Sequence, residues 1–185
     1  MIYQLWGDER AMAYLQGRGL APETIESAKL GYSVDGRFSD CIAIPYFDAL
    51  QKWRLTRYRH LGDTQPKYEQ PKGTSRHLYN VVASEEPRVA ICEGEFDALI
   101  LGQIGWAAVA VPGAQAWERG WRWLFRNCDL VVVITDADEA GDRAASKIAA
   151  QVGMVAPVER IELPAGLDVS DLYLKDPDEL GRLLP

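Results

Sequence analysis

The chain is poor in cysteine and histidine. Its 185 residues hold three cysteines, Cys41, Cys92 and Cys128, and two histidines, His60 and His77. No CxxC pair and no zinc-like Cys/His spacing occurs, which excludes a zinc module and gives no disulfide framework. Two of the cysteines lie in apolar runs, so all three read as reduced core residues. Long apolar runs are missing too. No stretch reaches the ~20 residues of a membrane span, and Met1 to Arg10 lacks a basic-then-apolar signal pattern. The expectation is a cytoplasmic protein with no membrane partner. Positive charge is also short: 20 Lys+Arg against 27 Asp+Glu leave a net charge of −7. That argues against a protein that coats nucleic acid by bulk electrostatics.

What remains is ordinary globular material, 48% hydrophobic and 25% charged, enough for one domain or two small ones. The charge is segregated. From Lys52 to Arg76 the chain carries Lys52, Arg54, Arg57, Arg59, Lys67, Lys72 and Arg76 against Asp63 and Glu69, and the acidic excess lies mainly from Glu85 onward.

The first ~30 residues read as two short helices. Asp8 caps the first, Gly17 and Gly19 break it, and Pro22 suits the first turn of the second, which should stop near Gly31. Two extended runs follow, Cys41 to Phe47 and Lys52 to Tyr58, joined by a turn at Asp48-Ala49-Leu50-Gln51. His60 to Thr74 reads as a long irregular basic loop. From about Glu85 the pattern alternates: strand at 89–92, helix at 96–103, strand at 107–111, helix at 116–125, strand at 130–134, helix at 139–152, strand at 158–161. Such an order predicts a parallel sheet covered by helices.

The acidic residues are placed where such a sheet ends. Glu93 follows the first strand of this half, and Asp136-Ala137-Asp138 follows the third. Both positions are carboxyl ends of parallel strands, the edge where open α/β sheets bind ligands. Neighbouring strands lie ~4.8 Å apart, so these carboxylates can reach one divalent ion, or two. Asp168-Val169-Ser170-Asp171 can reach the same edge after a loop. Like charges so gathered are costly without a counter-ion, and Mg²⁺ is the usual hard partner for oxygen ligands. The edge therefore reads as a metal site that handles phosphates.

These segments resemble the Toprim fold shared by DnaG-type primases, topoisomerases and some nucleases. Glu93-Gly94-Glu95-Phe96-Asp97-Ala98-Leu99, Thr135-Asp136-Ala137-Asp138-Glu139-Ala140-Gly141 and Asp168-Val169-Ser170-Asp171-Leu172 look like the primase versions. Tyr14-Leu15-Gln16-Gly17-Arg18-Gly19-Leu20, Leu30-Gly31-Tyr32, Arg57-Tyr58-Arg59, Pro66-Lys67-Tyr68 and His77-Leu78-Tyr79-Asn80 follow in the order of a primase catalytic core. The resemblance covers roughly Ala11 to Leu172. It implies an α/β fold, a Toprim-type parallel sheet over residues 85–185 preceded by a small α+β basic subdomain over 1–84. It implies synthesis of short RNA primers on single-stranded DNA from ribonucleoside triphosphates.

By the same resemblance Glu93, Asp136 and Asp138 are catalytic metal ligands for Mg²⁺ or Mn²⁺, with room for a two-metal site. Asp97 and Asp168 are further ligands, with Asp171 beside them. Arg18, Arg57, Arg59, Lys67, Lys72 and Arg76 would bind template and nucleotide. The resemblance does not extend to the family's zinc-binding or helicase-binding domains. It implies a minimal core of the kind phages and mobile elements encode, served by a replicative helicase and a separate zinc-module protein. Two other readings stand beside it, a Toprim metal-dependent nuclease and a non-catalytic nucleic-acid-binding subunit.

Blander readings apply residue by residue. Asp136 or Asp138 suits a helix N-cap, and Glu95 suits a helix N-terminus. A calcium EF-hand at Asp136 fails, because Ala140 replaces a ligand, Lys147 stands in place of the closing Glu, and a strand precedes the loop. The arginines can be a solvated surface. Trp117 and Trp121, four apart, share a helix face and suit core packing.

Overall fold

The computed structural model describes residues 5, 7–34, 36–113 and 115–185. The chain divides into two compact units, Met1–Ser75 and Arg76–Pro185.

In the first unit, α1 (Glu9–Gly17) starts at Asp8, whose side chain accepts the Ala11 N–H at 2.8 Å. The short helix α2 (Pro22–Ser27) has Pro22 in its first turn, where the missing N–H costs nothing. Four antiparallel strands follow: β1 (Gly31–Ser33), β2 (Cys41–Phe47), β3 (Trp53–His60) and β4 (Tyr68–Glu69), in that spatial order. The β2–β3 turn is held by Asp48, whose carboxylate accepts from the Leu50 and Lys52 N–H groups. The expected loop from His60 to Thr74 is only partly a loop. Its middle forms β4, with Tyr58 opposite Glu69 and Arg59 opposite Tyr68. The pairing is short because Pro66 and Pro71 flank it, and proline cannot donate to a ladder.

The second unit carries the parallel sheet. Its strands are β5 (Arg88–Cys92), β6 (Ala108–Ala110), β7 (Leu130–Ile134) and β8 (Val158–Ile161), ordered β6-β5-β7-β8 and all parallel. Helices α3 (Glu95–Gln103), α4 (Glu139–Val152), α5 (Val169–Lys175) and α6 (Pro177–Leu183) complete it. The central strands are apolar on both faces, and Val89, Ala90, Ile91, Val131, Val132, Val133 and Ile134 are all fully buried. A sheet covered on both sides requires this continuous run, and each large side chain contributes roughly 1.5–3 kcal/mol. In α4 the buried positions Gly141, Ala144, Ala145, Ile148 and Val152 form one helical stripe.

The division falls before residue 85. Tyr79 forms a two-bond antiparallel bridge with Ala110 on β6, Asn80 donates to the Ala108 carbonyl at 2.9 Å, and Leu78 and Ala83 enter the core. Residues 76–84 thereby cap the β6 edge of the sheet. The expected α-helix at 116–125 is instead a 3₁₀ segment, Arg119–Phe125. Trp117 and Trp121 still pack inward as expected. Trp117 is buried, meets Trp121 edge-on at 5.8 Å and stacks near Phe125 at 6.3 Å.

Candidate functional site

The carboxylates sit where β5, β7 and β8 release the chain toward α3, α4 and α5. Glu93 is the first residue after β5, and Asp136 and Asp138 follow the adjacent β7. Ile91 lies opposite Val133 in that ladder, so both strands deliver their acidic residues to one edge. Thr135, buried, donates its hydroxyl to the Gly141 carbonyl at 3.1 Å and ties the end of β7 to the first turn of α4.

Gly141 explains how closely the turn can approach. A Cβ there would collide with the Asp136 carbonyl oxygen and stand 3.0 Å from Glu93 Oε1. Only a residue without a side chain lets α4 begin against these two groups. Glu93 accepts a backbone N–H from Asp136, yet its Oε1 is buried without any partner. Burial, reinforced by the Asp136 and Asp138 carboxylates, pushes Glu93 up to about 7. Asp138 caps α4 by accepting the Gly141 N–H at 2.7 Å. The capping reading and the ligand reading are compatible, since one oxygen caps and a carboxylate has two.

A second acidic group lies beside the first. Asp97, in the first turn of α3, is buried and accepts from the Ser170 N–H at 3.2 Å and the Ser170 hydroxyl at 2.8 Å. Its other oxygen packs on Gly94, where a Cβ would stand 2.6 Å away. Burial and the nearby Asp168 charge push Asp97 up to about 7, and Asp136 adds to the rise. Asp168 caps α5 by accepting the Asp171 N–H at 2.6 Å, and Asp171 itself is exposed. Asp136 therefore acts electrostatically on both Glu93 and Asp97. Among the described residues no three His, Cys, Asp or Glu side chains close on one point as a metal cage. The carboxylates share an edge and a field, with one orphaned buried oxygen among them. A cavity of about 230 Å³ opens beside Asp136, lined also by Thr135, Asp142, Arg160 and Glu162, with Arg160 ion-paired to Asp142.

The basic residues are distributed over both units. Arg57 and Arg59, two apart on β3, both lie over the Tyr68 ring, at 4.4 and 4.9 Å from its centroid. Arg59 also donates to the Tyr14 hydroxyl at 2.9 Å. Arg18 is the half-buried C-cap of α1. Lys67 and Lys72 are exposed in the first unit, whereas the exposed Arg76 opens the second. His60 is a packed residue, with Nε2 3.1 Å from Glu69 Oε1 and Nδ1 3.2 Å from Cys41 Sγ.

Sequence reasoning missed Gly141, Gly94, Thr135 and Ser170. Glycine three positions after Asp138 carried a signal, since a close backbone approach favours it. Ser170 carried none, being one serine in an acidic turn.

The chain is similar to several known proteins. The Toprim-like family model matches residues 90–173, which include Glu93, Asp97, Asp136, Asp138 and Asp168. The Gene 57 protein of Mycobacterium phage D29 is 37% identical over 142 residues, covering 73% of this chain and 91% of the relative. A DNA primase of Geobacillus stearothermophilus is 27% identical over 90% of this chain, which spans 35% of that protein's length. The solved DnaG primase catalytic domain bound to single-stranded DNA superposes with a TM-score of 0.82 at 24% identity, covering 97% of this chain and 73% of that one. Residues 90–173 thus form a Toprim-like domain, and the chain belongs to the family of the phage Gene 57 protein, is similar to bacterial DNA primases over part of their length and has the fold of a primase catalytic domain.

Proposed function

We propose that the chain carries the nucleotidyl-transfer centre of a DNA primase, building short RNA primers on single-stranded DNA from ribonucleoside triphosphates. The observation that carries this reading is the buried, unpartnered Oε1 of Glu93 beside the carboxylates of Asp136 and Asp138. A buried acceptor with no donor is costly, and two acidic neighbours add to the cost. A hard divalent cation relieves both, and an all-oxygen donor set suits Mg²⁺ or Mn²⁺. Glu93, Asp136 and Asp138 would hold it, with Asp97 and Asp168 available to a second ion. When bound, such an ion neutralises the triphosphate and stabilises charge developing at phosphorus.

The chain's own residues do the rest. Gly141 lets Glu93 and the Asp136 turn approach, and Ser170 fixes Asp97. The Arg57 and Arg59 guanidiniums both lie over the Tyr68 ring, and arginines suit a phosphate backbone. Lys67, Lys72, Arg18 and Arg76 join them in this reading as contacts to template and triphosphate. Nothing in the carboxylate cluster reads a base, so templating rests on pairing between incoming nucleotide and template. Cytoplasmic location and recruitment by a replicative helicase and a zinc-module protein belong to the same proposal.

The test is primer synthesis on single-stranded templates with ribonucleotides and Mg²⁺ or Mn²⁺, with and without a zinc-module protein. Asp136→Asn should lower it by more than a hundredfold. Absence of product from the parent under every combination would sink the reading, and metal-dependent strand cleavage without triphosphates would replace it with a nuclease.

A further inference from the structure

The 3₁₀ segment Arg119–Phe125 on the second unit is an unusual surface for a chain of net charge −7. Arg119, Arg122 and Arg126 fall within eight residues, and none pairs with a carboxylate among the described residues. Two are anchored to their own backbone. Arg122 donates to the Arg119 carbonyl at 3.3 Å, and Arg126 donates to the Trp123 carbonyl at 3.0 Å. Each guanidinium carries five N–H donors, so donors remain for an outside acceptor. Arg122 Nε is buried with no partner at all. Trp117, Trp121 and Phe125 turn inward, but Trp123 is 52% exposed and Leu124 38% exposed. The Arg122 guanidinium lies over the Trp123 ring at 4.9 Å.

We propose that this face binds single-stranded nucleic acid, as a contact surface separate from the carboxylate edge. The composition matches what a single strand recognises: an exposed aromatic ring for a base to stack on, beside preorganised cations for its phosphates. The spacing helps. Residues three apart in a 3₁₀ helix eclipse one another and rise about 6 Å, which aligns Arg119 with Arg122 and Trp123 with Arg126. A protein partner is the less favoured occupant. Its docking would need a buried apolar centre, whereas the exposed apolar groups here are one ring and one leucine among cations. The inference goes beyond the proposed function, since it concerns strand binding without metal or triphosphate.

The experiment is fluorescence anisotropy of a labelled oligothymidylate with the full chain in EDTA, across a salt series. Trp123→Ala should weaken binding about tenfold, the loss of one stacked base, and Trp123→Phe should recover most of it. Arg119→Glu with Arg126→Glu should weaken binding further and lower the salt slope by about 1.4, two phosphate contacts on a single strand. All these positions are exposed, so thermal midpoints should match the parent. Parental affinity and slope in both the Trp123→Ala and the double-arginine variants would overturn the inference, as would a parent that does not bind the strand. Unchanged strand binding with loss of an acidic protein partner would overturn it as well. Patch-dependent binding by a chain that makes no primers would leave this inference standing and reject the primase reading alone. Primer synthesis with patch-independent binding would do the reverse.

Discussion

Ser170 gives both of its donors to one oxygen of Asp97, the backbone N–H at 3.2 Å and the hydroxyl at 2.8 Å, across 73 residues of sequence. Both residues are buried, at 1% and 6% exposure. The contact joins the first turn of α3 to the first turn of α5, and so fixes the chain that carries Asp168 relative to the chain that carries Glu93.

Removing the hydroxyl should therefore be felt in stability. Ser170→Ala leaves Asp97 with the backbone donor alone and should cost about 1–2 kcal/mol, read as a lower urea midpoint at unchanged slope. Ser170→Thr keeps the hydroxyl but adds a methyl group in a fully buried position, and should restore only part of the loss. A parental midpoint for Ser170→Ala would show that the hydroxyl contact carries no stability.

Gly141 sets a steric rather than a polar limit. Gly141→Ala places a Cβ against the Asp136 carbonyl and 3.0 Å from Glu93 Oε1. Backbone cannot swing aside as a flexible side chain does, so α4 must shift away from β7. The expected cost is about 1–3 kcal/mol, as for overpacking. Mn²⁺ affinity, followed by the paramagnetic signal of free ion, should fall at least tenfold. Parental affinity in this variant would show that the close approach does not shape the ligand set.

How much of this was legible in sequence follows from the physics of each element. Strands β5 and β7 were plain because a strand buried on both faces is a continuous apolar run, and the carboxylates ending those runs marked the edge. The 3₁₀ form of Arg119–Phe125 was hidden. Trp117, Trp121 and Phe125 keep the i, i+4 spacing of one α-helix face, a spacing that a 3₁₀ turn, which aligns residues three apart, does not share. Strand β4 was hidden because two residues between prolines show no period. Helix α6 was readable and overlooked, for Asp176 followed by Pro177 is a cap-and-first-turn pair, and Asp176 accepts the Glu179 N–H at 2.9 Å. Ser170 was unreadable, since only the folded chain brings it to Asp97.

Acid should stabilise the ion-free protein. Burial and neighbouring carboxylates push both Glu93 and Asp97 up to about 7, above the ordinary carboxylate range of about 4. Between those values the folded state holds more protons than the unfolded one, so stability falls as pH rises. The contribution is fully present below about pH 4 and lost as pH passes 7. In EDTA the thermal midpoint should decline from pH 5 to pH 8, and Glu93→Gln or Asp97→Asn should each flatten the decline. Excess Mg²⁺ or Mn²⁺ should flatten it too, by favouring the ionised form. A midpoint that climbs steadily over this range in EDTA would contradict the assignment of these two groups.

Asp138 is the residue where a structural and a chemical role can be pulled apart. Its side chain caps α4 through the Gly141 N–H at 2.7 Å, and its charge bears on Glu93. Asparagine caps as well as aspartate does, but it is neutral and a poorer ligand for a hard cation. Asp138→Asn should therefore keep the parental thermal midpoint in EDTA and lose primer synthesis by more than a hundredfold. Asp138→Ala should lose the activity and also about 1 kcal/mol of stability, the usual worth of a cap. If Asp138→Asn instead retained parental synthesis, its role would be capping alone, and the ligand set would contract to Glu93 and Asp136 with the Asp97 and Asp168 pair.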